Sequence, residues 1–189
     1  NFEMYWEDEI PKISNNLNGN KNVQVEIITG DYLDYSSPIA PKNSWANNKK
    51  NDVAVWIIRL DSNGNFAIPN TKSGAKRNLY VLKGSNMEID GQSISGGSMV
   101  TLDSSKNTVL KNLGSKTKIL MLQGVPINEP VVKYGPFVMN TRSEIEQAFY
   151  DYNRTEFGGW KWGNSDPVHG MEKEKFAKLI SGKIIKPGK

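Results

Sequence analysis

Short apolar runs separated by Gly-, Asn- and Asp-rich breaks set the rhythm of this chain. Residues 23–29 (VQVEIIT) alternate apolar and polar positions as a half-buried strand does, and Gly30-Asp31 stops them. Residues 53–60 (VAVWIIRL) form the strongest strand pattern. The Asp61-Ser62-Asn63-Gly64 that follows reads as a hairpin turn, with residues 65–69 as the return strand. Further strands are expected over 78–83, 86–90, 92–101, 108–112 and 118–123, with tight turns at Gly84-Ser85 and Asp90-Gly91. One helix is clear, over about residues 142–153. Thr141 and Glu144 stand in capping-box positions, and Ile145, Phe149 and Tyr152 fall on one face. A second, weaker helix is expected over about residues 171–181. Residues 34–52 lack apolar periodicity and are long for a connection, so they read as a surface excursion or a wrap around a barrel mouth.

Short strands at regular spacing, with no alternation of strand and helix, exclude a doubly wound sheet and indicate an antiparallel sandwich of the jelly-roll type. At 189 residues the chain is long enough to bury a core without staples. It contains no cysteine, which removes disulfides, thiolate nucleophiles and cysteine-ligated metal centres. The net charge is +4, but Lys and Arg are scattered, with Lys49-Lys50 the main doublet. This is a solvated surface rather than a track for phosphates, so no direct nucleic-acid partner is expected. No run approaches the roughly 18 to 20 apolar residues of a membrane span.

The string GVPINEPVVKYGPFVMNTRSEIEQAFYDY, from Gly124 to Tyr152, closely resembles the C-terminal domain of the pirin family, proteins built of two cupin barrels. The tail FGGWKWGNSDPVHGMEKEKFAKLISGKIIKP resembles that of bacterial pirin-like proteins. YVLKGSNMEIDG, from Tyr80, resembles a cupin hairpin, and Gly96-Gly97 sits where cupins open their second motif. The resemblance implies a cupin-type double-stranded β-helix, or jelly-roll sandwich, with one or two short C-terminal helices. It further implies an inter-domain linker-like segment over 1–22, the pirin C-terminal cupin domain over 23–153, and a tail over 154–189 that packs on the barrel or on a neighbouring domain. Residues similar to YWEDEIP join the two barrels in pirin-like proteins, so the chain would lack its first barrel. Phe2, Tyr5 and Trp6 would then either face that absent partner or pack on their own domain.

Catalytic cupins hold a divalent metal with three His and a Glu. The stretch corresponding to their first motif, residues 68–78, contains neither His nor carboxylate, and Lys72, Lys76 and Arg77 would repel a cation. The lone His169 lies in the tail and reads as a local cap. In the pirin family the metal and the quercetin-oxidising activity belong to the first barrel. The resemblance therefore implies no catalytic residue, no metal ligand and no cofactor in this chain, with iron or another divalent metal expected only in a missing N-terminal cupin domain. That domain is the partner implied, beside a homo-oligomer or a protein partner; no membrane partner is expected. The Asn- and Lys-rich composition suggests a low-GC bacterium, hence a cytoplasmic location.

Other groups read as structural. Glu7, Asp8 and Glu9 are solvated linker, and Glu144 and Glu146 belong to the helix. Asn128, Glu129 and Asn140 fix a proline-rich loop by bonding its backbone amides. Trp160 and Trp162, interleaved with Lys161, pack the tail. Ligand-binding residues stay unknown. One alternative function remains, a stand-alone cupin module binding a small apolar or aromatic ligand, with an inward Trp56 or Tyr80 lining the cavity.

Overall fold

The alternation that begins near residue 53 does not stop at Asp61. The computed structural model describes residues 3–14, 19–71, 74–160, 163, 174–179 and 181–188, and the chain divides into two compact units, Asn1–Pro126 and Ile127–Lys189.

In the first unit β1 (Lys12–Ser14), β2 (Lys21–Thr29), a small hairpin of β3 (Asp31–Tyr32) and β4 (Tyr35–Ser36), and β5 (Ala54–Ile68) follow in order. Then come β6 (Lys76–Lys83), β7 (Met87–Ile89), β8 (Gln92–Ile94), β9 (Met99–Leu102), β10 (Thr108–Asn112) and β11 (Thr117–Gly124). All but β3 and β4 join one antiparallel sheet in the order β8-β7-β10-β5-β11-β6-β9, with β2 on β5 and β1 on β2. Strand alternation then decides the core, because facing residues must point the same way. Val25, Ile58, Ile119 and Val81 stand side by side across four strands, as do Ile27, Trp56, Met121 and Leu79. All eight are at most 3% exposed. The curled sheet thus wraps an interior filled by its own side chains, which is the jelly-roll architecture expected.

The hairpin expected at residues 61–64 is absent. β5 runs through it, pairing with β11 over residues 54–60 and with β10 over 65–68. Since β10 and β11 are consecutive and both antiparallel to β5, β5 must continue in one direction past both. Residues 61–64 are an excursion between these halves, since β2 jumps from Asn65 opposite Lys21 to Leu60 opposite Val23. Asn63 takes the left-handed conformation at φ 57°. A Cβ on Gly64 would sit 2.7 Å from the Asn22 carbonyl oxygen, so glycine is required there for close approach rather than for reversal. The side chain of Asn112, 1% exposed, fastens the corner. Its Nδ2 donates to the Leu60 and Asp61 carbonyls at 3.0 and 2.8 Å, and its Oδ1 accepts from Gly114 N and Thr117 Oγ1, each at 3.0 Å.

Within the linker-like first residues, Lys12–Ser14 joins the sheet's edge. β1 pairs with β2, the Pro11 carbonyl accepts from Ile27 N at 3.0 Å, and Tyr5 Oη donates to the Ile39 carbonyl at 2.6 Å. Tyr5 therefore bonds within its own unit; Phe2 lies outside the described residues. Residues 34–52 wrap a strand end. Trp45 Nε1 donates to the Val125 carbonyl at 3.1 Å, and Val125 N donates to that of Asn51 at 2.7 Å.

The second unit opens with β12 (Val132–Tyr134) paired to β13 (Phe137–Met139), followed by α1 (Arg142–Thr155). The expected capping box is present. Glu144 N donates to Thr141 Oγ1 at 3.2 Å, and the Glu144 carboxylate accepts from Thr141 N at 2.7 Å. The second helix is not formed over its described part. Ala177–Lys178 (β14) pairs with Ile184–Ile185 (β15) around Gly182 at φ +83°, and the turn captures the backbone groups a helix would need. Residues 171–173 and 180 lie outside the described residues. Among the described residues no helix is long and apolar enough to cross a membrane.

Candidate functional site

Alternation along β6 sends residues 77, 79 and 81 inward, and the first of these is an arginine. Arg77 is 2% exposed. It stands directly opposite Gln123 of β11, and its Nε donates to Gln123 Oε1 at 2.7 Å. Its Nη2 donates to the Pro69 carbonyl at 2.9 Å, while Nη1 is buried without an acceptor. Gln123 in turn donates from Nε2 to the Asp52 carbonyl at 3.2 Å, and the Asp52 carboxylate accepts a short hydrogen bond from Thr71 Oγ1. Thr71 N donates to the Ser104 carbonyl at 2.8 Å, and Ser104 Oγ donates to that of Ala75 at 2.5 Å. Asp52 is held at φ 48°, where the segment wrapping the strand ends turns into β5. The result is a polar cluster of β5, β6 and β11 ends around one guanidinium. Burial pulls that guanidinium below its usual value and the charge of Asp52 acts the other way. An arginine in such a setting remains a cation at neutral pH.

Pro69, Thr71, Ala75 and Arg77 of this cluster lie in the stretch that the resemblance sets against the first metal ligands of catalytic cupins, which allows a direct test of fit. Iron or manganese needs imidazoles and carboxylates converging on one point. Here the inward side chain is cationic, and the nearby carboxylate of Asp52 is engaged by Thr71. No group of three His, Asp or Glu suited to a metal ion occurs among the described residues. The described residues of this cluster do not fit a divalent metal. Lys76, at the start of the same strand, is exposed; Lys72 and His169 lie outside the described residues.

The remaining residues singled out in the sequence are dispersed. Glu7 pairs with Lys12 at 3.0 Å, and the Glu9 carboxylate accepts from Trp6 N at 2.7 Å, so two of the acidic trio organise their own turn. Lys49 pairs with Asp31 at 3.0 Å. Asn140 Nδ2 donates to Glu129 Oε2 at 2.7 Å, so this loop is tied side chain to side chain rather than through the backbone amides expected. Asn128 holds a left-handed turn at φ 57°. Glu146 lines a groove between α1 and β12 with Lys133 and Arg142. Trp160 is half exposed, and Lys161 and Trp162 lie outside the described residues.

Trp56 is buried in the interior, edge-on to Tyr32 at 5.3 Å between ring centres. Tyr80 does not join it; it sits between the inward Leu79 and Val81 and therefore faces out. The network of Asp52, Thr71 and Gln123 escaped sequence reasoning. The available signal was Arg77 itself, since a cation at an inward position of a strand requires partners.

Comparison with known proteins agrees with this architecture. The profile of the Pirin C-terminal cupin domain matches residues 55–158, more than half of the chain. A Vibrio cholerae protein named as a candidate quercetin 2,3-dioxygenase is 34% identical over 139 residues, 74% of this chain and 43% of that protein. Rat pirin is 27% identical over 161 residues, 83% of this chain and 50% of pirin. A crystal structure of quercetin 2,3-dioxygenase from Acinetobacter baumannii superposes with a TM-score of 0.64 at 27% identity, covering 80% of this chain and 49% of that one. The chain thus spans about half the length of these relatives. On the match of its sheet and of the first helix after it, the chain belongs to the pirin family, as a copy of that family's C-terminal cupin domain.

Proposed function

We infer that this chain is the metal-free C-terminal cupin half of a pirin-like protein, with a structural and interaction role beside a metal-bearing N-terminal cupin barrel. The longer protein would do quercetin 2,3-dioxygenase-like or regulatory work in the cytoplasm. The observation that carries this reading is Arg77, a cation built into the stretch where a catalytic cupin holds its first ligands. Two further facts support it. The chain covers only about half of its relatives, and the unit after the sheet leaves Val131, Tyr134 and Phe157 each more than 60% exposed, as a contact surface would.

The test is metal stoichiometry by plasma mass spectrometry after loading with iron(II) and exhaustive dialysis. Retention near zero is the expected result. A tight equimolar ion would overturn the reading and direct attention to His169 and to Asp52. The alternative, a barrel that binds a small aromatic molecule, has less support because the interior positions are filled by Ile58, Leu79, Met121 and Trp56. Quercetin should accordingly leave the thermal midpoint of this chain unchanged.

A further inference from the structure

The outward face of the sheet carries an arrangement that the family assignment does not use. Gln24 of β2 faces Arg59 of β5, Arg59 faces Lys118 of β11, and Lys118 faces Lys83 of β6. Three cations thus stand in adjacent positions across three neighbouring strands. Like charges directly opposite one another destabilise a sheet. The last of the three is also there by a special device. Ile119 pairs with Val81, but the next pair is Lys118 with Lys83, so the register shifts by one residue and Leu82 is skipped. Without that bulge Leu82 would face Lys118. Bulges re-aim side chains in this way beside functional sites.

These residues line a hollow of about 400 Å³, with Lys116 and Asp61 on its rim. Two of the four cations are compensated: a Glu26 oxygen lies 2.7 Å from Arg59 Nη1, and Asp61 lies 3.7 Å from Lys116 Nζ. Lys83 and Lys118 have no carboxylate partner within ion-pair distance among the described residues. Gln24 and Ser14 add neutral polar groups to the same wall.

The geometry points to a binding site for a small, multiply charged oxyanion, namely a phosphate- or diphosphate-bearing molecule, held by Lys83 and Lys118 with Arg59 and Lys116 beside them. Closely spaced cations without counter-charges suit an anion whose charge is spread over several oxygens. Among the described residues the lining contains no aromatic ring for a base to stack on, and the cations form a patch rather than a track, so a small anion fits better than a nucleic-acid strand.

The test is calorimetric titration of this chain with pyrophosphate at low ionic strength, paired with thermal unfolding. One saturable site and a rise in midpoint are expected, because a ligand that binds only the folded state stabilises it. The double variant Lys83→Gln, Lys118→Gln should weaken pyrophosphate binding at least about tenfold, as expected for the loss of charge-assisted bonds. It should keep or raise the ligand-free midpoint, since like charges are removed. The variant Lys49→Gln, Lys50→Gln, equal in charge change, should bind as the parent does. Absence of a saturable site, or equal weakening in both variants, would overturn the proposal. So would a single-stranded oligonucleotide that binds the patch more tightly than pyrophosphate.

Discussion

Ile58, Leu79 and Ile119 are shut away from water inside the sheet, whereas Tyr134 and Phe157, no smaller, are 68% and 63% exposed in the unit that follows. The sheet closes on itself: alternation sends one residue in two inward, and four strands contribute to each buried row. Among its described residues the hairpin–helix unit shows no comparable interior. It buries Ile145 and Ala148, and holds the rest by edge-on aromatic contacts linking Tyr134, Phe149, Phe137, Tyr152 and Phe157 at 4.8 to 6.4 Å. The difference teaches that one family profile spans two kinds of stability. The sheet draws on area removed from water, the second unit on caps and ring contacts that remain half in solvent.

The largest effect separating the two should come from Ile58→Ala. Ile58 is wholly buried between Val25 and Ile119, so the substitution removes packed atoms and leaves a cavity, at about 2–5 kcal/mol. Urea unfolding should show the midpoint fall with the slope unchanged. Amide exchange in β2, β5 and β11 should accelerate together, because these strands share the row. Exchange confined to one strand would mean that the sheet is not the single cooperative block described.

Asn112→Ala comes next. It removes four hydrogen bonds, of which those to the Leu60 carbonyl and from Thr117 Oγ1 are buried, for a loss of about 2–3 kcal/mol from net bond energy and the buried groups left unpaired. Asn112→Asp keeps the shape but loses the amide donor, so it should fail to restore stability. Recovery by the aspartate variant would show that the corner needs only an acceptor.

This corner also marks where sequence reasoning reached its limit. Residues 108–112 were legible as a strand, and so was the capping box at Thr141, because both rest on local patterns that tertiary pairing left intact. Asp61-Ser62-Asn63-Gly64 has the composition of a hairpin turn. Whether the chain reverses there depends on which strands flank it, a non-local fact that two consecutive partners, β10 and β11, decide. The outward orientation of Tyr80 and the skip over Leu82 are register facts of the same kind. Part of the candidate site was legible as an absence of His and carboxylate over residues 68–78. The burial of Arg77 was signalled only by its alternation with Leu79 and Val81, against the usual surface preference of arginine, and its partners Gln123, Pro69 and Asp52 were not legible, since they lie 46, 8 and 25 positions away.

In the second unit Phe149→Ala should cost less, about 1–2 kcal/mol, because the ring is only partly buried and its edge contacts with Tyr134 and Phe137 are of modest strength. Exchange should rise for the amides of α1, with β5 and β11 unaffected. Equal acceleration in the sheet would break the distinction between the units.

The smallest effect tests the cap alone, through pH. The Glu144 carboxylate is held below the ordinary glutamate value of 4.5, chiefly by its hydrogen bond from the Thr141 hydroxyl, then by the backbone amides of Thr141 and Asn140. A carboxylate lowered on folding contributes stability that is complete above its unfolded value and is lost as pH falls through its folded one, because the unfolded chain binds protons first. Exchange at the first turn of α1 should therefore quicken as pH drops below about 4.5, after correction for the intrinsic rate. Glu144→Gln should flatten that dependence, since glutamine does not titrate in this range. Thr141→Ala should remove about 1 kcal/mol of helix stability by taking away the hydroxyl that Glu144 N bonds, and should weaken the pH dependence by freeing the carboxylate. If the pH response persisted unchanged in both variants, another group would be responsible. The unit's order at its helix start would then rest on something other than the cap.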